Sequence, residues 1–509
     1  MHAGMRGPFE KRRKQARPWG LLLGTAFIVL LWVVVTLQLL PDQLHNVSAV
    51  LDGTFNQEYQ ESRENEGGAG ARRAQKVVAS PKPPPPSPPT ITMEQIIAIL
   101  TGFLNELHEK YARLEPDPDI EGLWEMYKEV ADRRLLPLDR TYTGYGLFPV
   151  RDDDTIFVSV ASYRDELCAN TLEEMYGKAS APDKLFVGLV QQNCREDCQT
   201  GVLAGGVVED APADSDCYVD FCATDVGEPV CQQGQVRNFF VNESESLGPA
   251  VGRYFASKLW HGETYYMQID SHSIFERGWD DAYILDIKNT PSFPRSVLSH
   301  YPPDTHEQYQ NEPGHRICDC GFSTDPIEAD IIRLGGGQPN EDRSIRAKPC
   351  PAPFTGAGFI FAHASFLRDV PFDPYVPWVF MGEEILFSLR LWTWGYDIYG
   401  PTRNMIAHYY VRNHKPKFWE TVGRLFKTPG IHNDIHDVII HRVKGIVGYP
   451  ESTAEIMAPR SLLCHLDLYG DGPVRSAEEY MRTVGIDVVA KRLTPIAWCF
   501  KCEAPRPVY

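Results

Sequence analysis

The sequence predicts an α/β protein, a mixed sheet flanked by helices, mounted behind an N-terminal transmembrane helix and a stem. Three observations carry that expectation. Short apolar runs alternate with helical stretches from residue 151 onward, one of those runs stops at Asp270-Ser-His272, and an uncharged apolar run fills residues 18–41. A chain of 509 residues with 43% hydrophobic and 23% charged side chains can bury a core large enough for an enzyme. Its 40 Gly and 40 Pro are too few for a collagen or a wholly disordered chain. The formal net charge of −18 argues against nucleic-acid binding, which needs a basic footprint to displace phosphate counterions.

Residues 1–17 form a basic tail, with Arg6, Lys11, Arg12, Arg13, Lys14 and Arg17 against Glu10. The run 18–41 is rich in Leu, Val and Trp, and a helix of roughly 20 apolar residues crosses the hydrocarbon core of a bilayer. Bulky Leu37, Leu39 and Leu40 before Pro41 are unlike the small-residue cleavage site of a secretory signal, so the run reads as an uncleaved signal anchor. Basic residues before it set the N-terminus in the cytosol and everything after it in the lumen. Residues 42–90 are polar and end in a Pro-rich stretch at 81–89, a disordered stem. The next segment, 91–150, reads as a helical stalk. In it Met93, Ile97, Leu100, Leu104, Leu107, Tyr111 and Leu114 recur alternately four and three residues apart, an apolar seam. That seam serves either a short coiled coil, and so a homodimer through 93–114, or packing against the next domain.

All 12 cysteines lie between Cys168 and Cys502, and an even number in an oxidising lumen favours disulfides. Cys194, Cys198, Cys217, Cys222 and Cys231 crowd one stretch, so at least one of these five pairs elsewhere. Cys499-x-x-Cys502 has no second pair at zinc-ribbon spacing and reads as structural.

From residue 151 the pattern predicts strands at 155–160, 185–190, 265–269, 358–361 and 397–399, with helices at 165–177, 246–260 and 383–394. The strand at 265–269 runs into Asp270-Ser-His272, and alternate residues of an extended chain share a face, so a carboxylate and an imidazole point the same way. The carboxyl edge of an open α/β sheet is where ligands bind, and this pair suits Mn2+, which accepts oxygen and nitrogen. His408, after a strand-like stretch, is a candidate third ligand. His432 and His436, one helical turn apart, also have ligand spacing, but their region reads as a surface helix. Residues 413–509 show no site-forming pattern.

The run Ile156-Phe-Val-Ser-Val-Ala-Ser-Tyr-Arg-Asp165, the Gly248-Pro-x-x-x-Arg253 motif, Gln268-Ile-Asp-Ser-His272 with Trp279-Asp280, and Phe380-Met-Gly-Glu-Glu384 with Trp392-x-x-Gly395-Tyr396-Asp397 together resemble glycosyltransferase family 60. The likeness spans residues 153–412, with weaker echoes at Glu478-Glu-Tyr480 and Gly485-Ile-Asp487. The resemblance implies a GT-A fold over 151–412, with 413–509 an extension of it. It also implies UDP-GlcNAc as donor, Mn2+ as cofactor and the hydroxyl of a protein acceptor (Thr, Ser or hydroxyproline) as target. The anomeric configuration would be retained; the family has cytoplasmic and Golgi branches, and the signal anchor joined to the resemblance makes the Golgi membrane the expected compartment.

By the same resemblance Ser162, Arg164 and Asp165 contact uridine and ribose, and Arg253 approaches the diphosphate or uridine. Asp270, His272 and His408 hold the metal. Glu383 and Glu384 bind sugar hydroxyls or orient the acceptor, and Gly356 and Gly358 let the backbone approach the sugar. Two positions depart from the family pattern: Ile274 where Arg is expected, and Gly252 where Ala is usual. A UDP-GalNAc polypeptide transferase and an inactive glycan- or protein-binding module are the rival readings; the first usually carries a C-terminal lectin repeat, and the second has no need of a metal set.

Overall fold

The computed structural model describes residues 91–145, 148–200, 208–305, 313–328, 330–339, 348–411, 416–457 and 459–505. The basic tail, the apolar run 18–41 and the stem lie outside them. Among the described residues no helix is long and apolar enough to cross a membrane.

The centre is an eight-stranded mixed sheet. Its strands are β1 (Ile156–Tyr163), β2 (Leu185–Asn193), β3 (Val236–Asn242), β4 (Tyr265–Ile269), β6 (Ser296–Ser299), β7 (Cys350–Ala352), β8 (Phe359–His363) and β9 (Asp397–Gly400), in the order β7-β9-β6-β8-β4-β1-β2-β3. β1 pairs in parallel with β2 and β4, and β2 with β3. β8 runs antiparallel between β4 and β6. Two short strands, β5 (Ser273–Phe275) and β10 (Ile406–His408), form a separate antiparallel ribbon.

Both faces of the sheet are covered, which is why its central strands are apolar runs rather than alternations. Ile156, Val158 and Val160 of β1 join Val187, Leu189, Met267 and Phe361 in one core layer, while Phe157, Val190, Tyr266 and Ile360 belong to the other. The first layer is capped by α4 (Cys168–Lys178) and α6 (Trp279–Lys288), through Leu172, Met175, Trp279 and Tyr283. The second is capped by α5 (Pro249–Ser257), α7 (Glu383–Thr393) and α9 (Ile431–Val447), through Val251, Phe255, Leu386, Leu389 and Ile439. Phe157 reaches so far under β2 that a Cβ on Gly188 would stand 2.2 Å from its ring, so only glycine fits there.

Three helices precede the sheet: α1 (Met93–Tyr111), α2 (Ile120–Arg134) and α3 (Leu136–Tyr145). Thr92 and Gln95 cap α1 reciprocally, satisfying two backbone donors at its start. Within the apolar seam of 93–114, Met93, Ile97 and Leu114 are half-buried. Leu100, Leu104, Leu107 and Tyr111 are buried within the chain, together with Ile96 and Phe103 between the seam positions. Phe103 meets Tyr127 of α2 edge-on at 5.8 Å and Phe255 of α5 at 6.1 Å, and Tyr127 donates to the Pro374 carbonyl at 2.6 Å. Of the two expected uses of the seam, packing on the next domain is the one observed, and 91–145 falls in one compact unit with the sheet.

Five disulfides brace the fold: Cys168–Cys217, Cys194–Cys198, Cys222–Cys231, Cys318–Cys499 and Cys350–Cys502. The odd member of the crowded stretch is Cys217, which reaches back to the start of α4. Both cysteines of Cys499-x-x-Cys502 are tied to the sheet region, so that motif is structural.

Candidate functional site

β4 ends at Ile269, and Asp270 stands at its carboxyl edge beside the end of the parallel neighbour β1. The chain turns through Ser271 and His272 into β5, whose pairing with β10 sets Ser273 opposite His408. This three-residue ribbon carries His408 across 138 positions of sequence to the Asp270-x-His272 pair: its Nε2 lies 3.0 Å from Asp270 Oδ2, and the two imidazole centroids are 4.4 Å apart. One potential ligand atom from each of the three residues falls within 4.8 Å of the others.

An oxygen and two imidazole nitrogens form a donor set that fits a divalent ion such as Mn2+. Two further observations support the fit. Asp165 Oδ2 contacts His272 Nδ1 at 2.6 Å, the carboxylate support that fixes the ring and leaves Nε2 free to ligate. His408 Nε2, the nitrogen on the Asp270 side, has no other hydrogen-bond partner among the described residues. Burial would raise the Asp270 pKa, but the His408 hydrogen bond and the Arg253 charge outweigh it and hold the carboxyl well below its usual range. It is an anion at any physiological pH.

These residues form the floor of a cavity of about 660 Å3. Arg253, from α5, donates to Asp270 Oδ1 at 3.2 Å and pairs with Glu383. Gly382, at φ 95°, turns the chain into α7, which places Glu383 and Glu384 on its first turn facing the cavity. Glu384 is held differently from its neighbour. Its Oε2 accepts from the Tyr301 hydroxyl at 2.6 Å and its Oε1 from the Ala357 N–H at 2.8 Å. Burial raises the pKa of both glutamates, opposed by Arg253 at Glu383 and by the Tyr301 and Ala357 donors at Glu384.

Asp270, His272, His408, Arg253, Glu383, Glu384 and Gly358 all line this cavity, as the sequence suggested. Ser162, Arg164, Asp165 and Gly356 do not. At the end of β1 the alternation turns Ala161 and Tyr163 to the cavity and buries Ser162. Arg164 is locked on Asp214 by bonds of 2.7 and 3.2 Å. Asp165 accepts from Ser271 Oγ at 2.7 Å as well as bracing His272, so its carboxylate is engaged by the turn that carries the candidate metal ligands. At Gly356 a Cβ would sit 2.9 Å from the Tyr301 ring, so the absent side chain makes room for tyrosine rather than for sugar. Neither departure from the family pattern reaches the cavity: Ile274 pairs with Ala407 in the ribbon, and a Cβ on Gly252 would lie 3.1 Å from the Gln192 amide.

The wall also holds residues that sequence reasoning passed over. Tyr163, Gln192, Tyr301 and Tyr410 line it, as do Lys417, Phe418 and Trp419 from α8 (Phe418–Leu425) and the residue before it. The region 413–509 therefore contributes to the site. Phe380 and Tyr410 are 42% and 51% exposed at the mouth, and Phe380 meets Trp419 at 5.1 Å. The helix bearing His432 and His436 is no surface helix: α9 buries Ile435, His436, Ile439 and Ile440. His432 Nε2 faces the Trp378 carbonyl at 3.0 Å, a structural bond.

Comparison with solved structures gives a crystal structure of GalNAc-T7 with UDP, GalNAc and Mn2+ at 12% identity and a TM-score of 0.38, covering 64% of this chain and 56% of that one. It also gives S. aureus TarS 1–349 in complex with UDP, at 14% identity and a TM-score of 0.31, covering 65% of this chain and 90% of that one. The chain thus spans little more than half of the GalNAc-T7 chain it matches. Comparison with curated proteins returns no match. The family described as Glycosyltransferase (GlcNAc) matches residues 155–490, from the first strand of the sheet past α9 and well beyond residue 412. By that match and by the motifs around Asp270 and Glu384, the chain belongs to the glycosyltransferase (GlcNAc) family.

Proposed function

We propose that the protein is a metal-dependent retaining glycosyltransferase of GT-A fold that moves GlcNAc from UDP-GlcNAc to a hydroxyl of a protein acceptor, on Thr, Ser or hydroxyproline. Anchored through residues 18–41, it works in the Golgi lumen as a single-pass type II protein. The observation that carries this reading is the convergence of Asp270, His272 and His408 at the sheet edge, in one cavity with Arg253 and Glu384. Membership of a GlcNAc transferase family supports it.

A divalent cation at Asp270, His272 and His408 supplies charge neutralisation for the UDP leaving group. Arg253 carries a cation into the same space, kept protonated against the cost of burial by Glu383 and Asp270. Glu384 presents a carboxylate to the hydroxyls of the donor sugar. In a retaining transfer the anomeric C–O bond to UDP breaks and the acceptor oxygen bonds on the same face, while its proton passes to the departing phosphate oxygen. The chain's own contribution is then positioning and fixed charge, with no protein base required. The exposed aromatic mouth of Phe380, Tyr410 and Trp419 suits a peptide, whose side chains offer apolar area to stack on.

The test incubates the full-length protein in detergent with Mn2+, a peptide library and, separately, UDP-GlcNAc, UDP-GalNAc and UDP-glucose. Mass spectrometry should detect HexNAc on a hydroxyl residue with UDP-GlcNAc, lost on adding EDTA, and proton NMR should show an α linkage. A β linkage, or equal transfer without metal, refutes the reading.

A further inference from the structure

We propose that Tyr301 is a positioning residue that fixes Glu384 as the reader of the donor's sugar, seated by the missing side chain of Gly356. This rests on the donor reading above and extends it to a residue outside every motif of the sequence.

The two adjacent glutamates have divided roles. Glu383 is neutralised by Arg253, whereas Glu384 has no ion pair among the described residues and is held by two neutral donors, one on each oxygen. A carboxylate offers about four lone-pair sites, so each oxygen keeps one for a ligand. An anion so arranged, in a cavity wall and with no cation in direct contact among the described residues, suits a neutral polyol better than a charged group, and a sugar's hydroxyls are such donors. Burial together with the Glu384 charge raises the Tyr301 pKa, so the phenol stays protonated and keeps donating.

The backbone on either side of Tyr301 is also held in place. Ser299, just before it on β6, donates to the Phe359 carbonyl at 2.7 Å and accepts from the Gly356 N–H at 2.9 Å. On the other side Tyr410 donates to the Pro302 carbonyl at 2.6 Å, and the His408 N–H donates to that of Pro303 at 2.9 Å. The stretch carrying Tyr301 is thereby pinned to the strand that delivers a metal ligand, which ties the sugar reader in register with the metal site. A Cβ at Gly356 would crowd the ring, so the glycine leaves the space that Tyr301 fills.

The test is calorimetric titration of the full-length protein in detergent with excess Mn2+, comparing UDP with UDP-GlcNAc for wild type, Tyr301→Phe, Glu384→Gln and the double variant. Tyr301→Phe removes one oxygen and should leave UDP affinity within about twofold while weakening UDP-GlcNAc roughly tenfold, the loss expected for a hydrogen bond to a charged group. Glu384→Gln should show the same selective loss, and the double variant little more than either single one. Equal losses for both ligands in Tyr301→Phe would mean a merely structural role and overturn the proposal, as would an unchanged UDP-GlcNAc affinity or additive losses in the double variant. Failure of the donor reading looks different: wild type itself would bind neither UDP nor UDP-GlcNAc, and both proposals would fall together.

Discussion

Arg253 and Arg442 are both arginines paired with carboxylates, the first largely and the second wholly buried, and they do opposite things. Arg442 is 0% exposed and its partner Asp373 3%, with Arg442 Nε donating to Asp373 at 2.7 Å. Its Nη1 donates to the Leu462 and Cys464 carbonyls. The result is a knot that joins α9 to the chain on either side of it. Arg253 instead faces a cavity of about 660 Å3, and its partner Asp270 is 26% exposed. The first cluster is closed against solvent; the second keeps lone pairs for something the protein alone does not supply. Open valence at a cavity wall, rather than burial or charge, separates a site from a brace.

Breaking the brace should give the largest effect. Arg442→Met strands the Asp373 carboxylate in the interior, and severing a buried pair costs about 3–5 kcal/mol. Chemical denaturation should show that loss while activity per folded molecule stays unchanged. Asp270→Ala should do the reverse, leaving the melting temperature near that of wild type and lowering kcat/KM on the order of a hundredfold or more, about 2.7 kcal/mol of barrier.

A smaller effect concerns pH. Burial holds His300 at about 3 and His432 at about 4, both below the ordinary 6.5, so each is neutral when folded and gains a proton on unfolding between its two values. Stability should therefore be full above pH 6.5 and decline steadily as pH falls from there toward 4. His300→Phe should flatten part of that decline, and an unchanged slope would contradict the assignment. The smallest effect belongs to the mouth: Trp419→Ala should raise the KM for peptide about fivefold with little change in kcat, the loss of roughly 1 kcal/mol of stacking. A fall in kcat with the peptide KM unaltered would place Trp419 elsewhere in the reaction.

Parts of this were legible in the sequence for physical reasons. β4 could be bounded to the residue, because a strand buried on both faces reads as a mostly apolar run, here with Gln268 as its one polar member, that the carboxylate of Asp270 ends. The same double burial hid the phase of β1: with apolar residues on both sides, nothing in the string says whether Ala161 and Tyr163 or Ser162 meets the ligand. His408 stood out as a candidate, yet its meeting with His272 depends on a three-residue ribbon too short to have a period. Tyr301, Phe380, Tyr410 and Trp419 come from separate segments that only the tertiary fold gathers at one mouth. The apolar seam of α1 was read correctly as a seam, but its spacing is the same whether a helix packs on another copy or on its own domain.

The central claim is that Asp270, His272 and His408 hold a divalent ion that receives the nucleotide sugar. Electron paramagnetic resonance of Mn2+ titrated onto the full-length protein with UDP present measures it most directly. The account predicts one tightly bound ion per chain in wild type, lost in Asp270→Ala and in His408→Ala while both variants stay folded, and retained in Tyr301→Phe. Tight Mn2+ binding that survives both ligand substitutions, or none in the wild type, would contradict it.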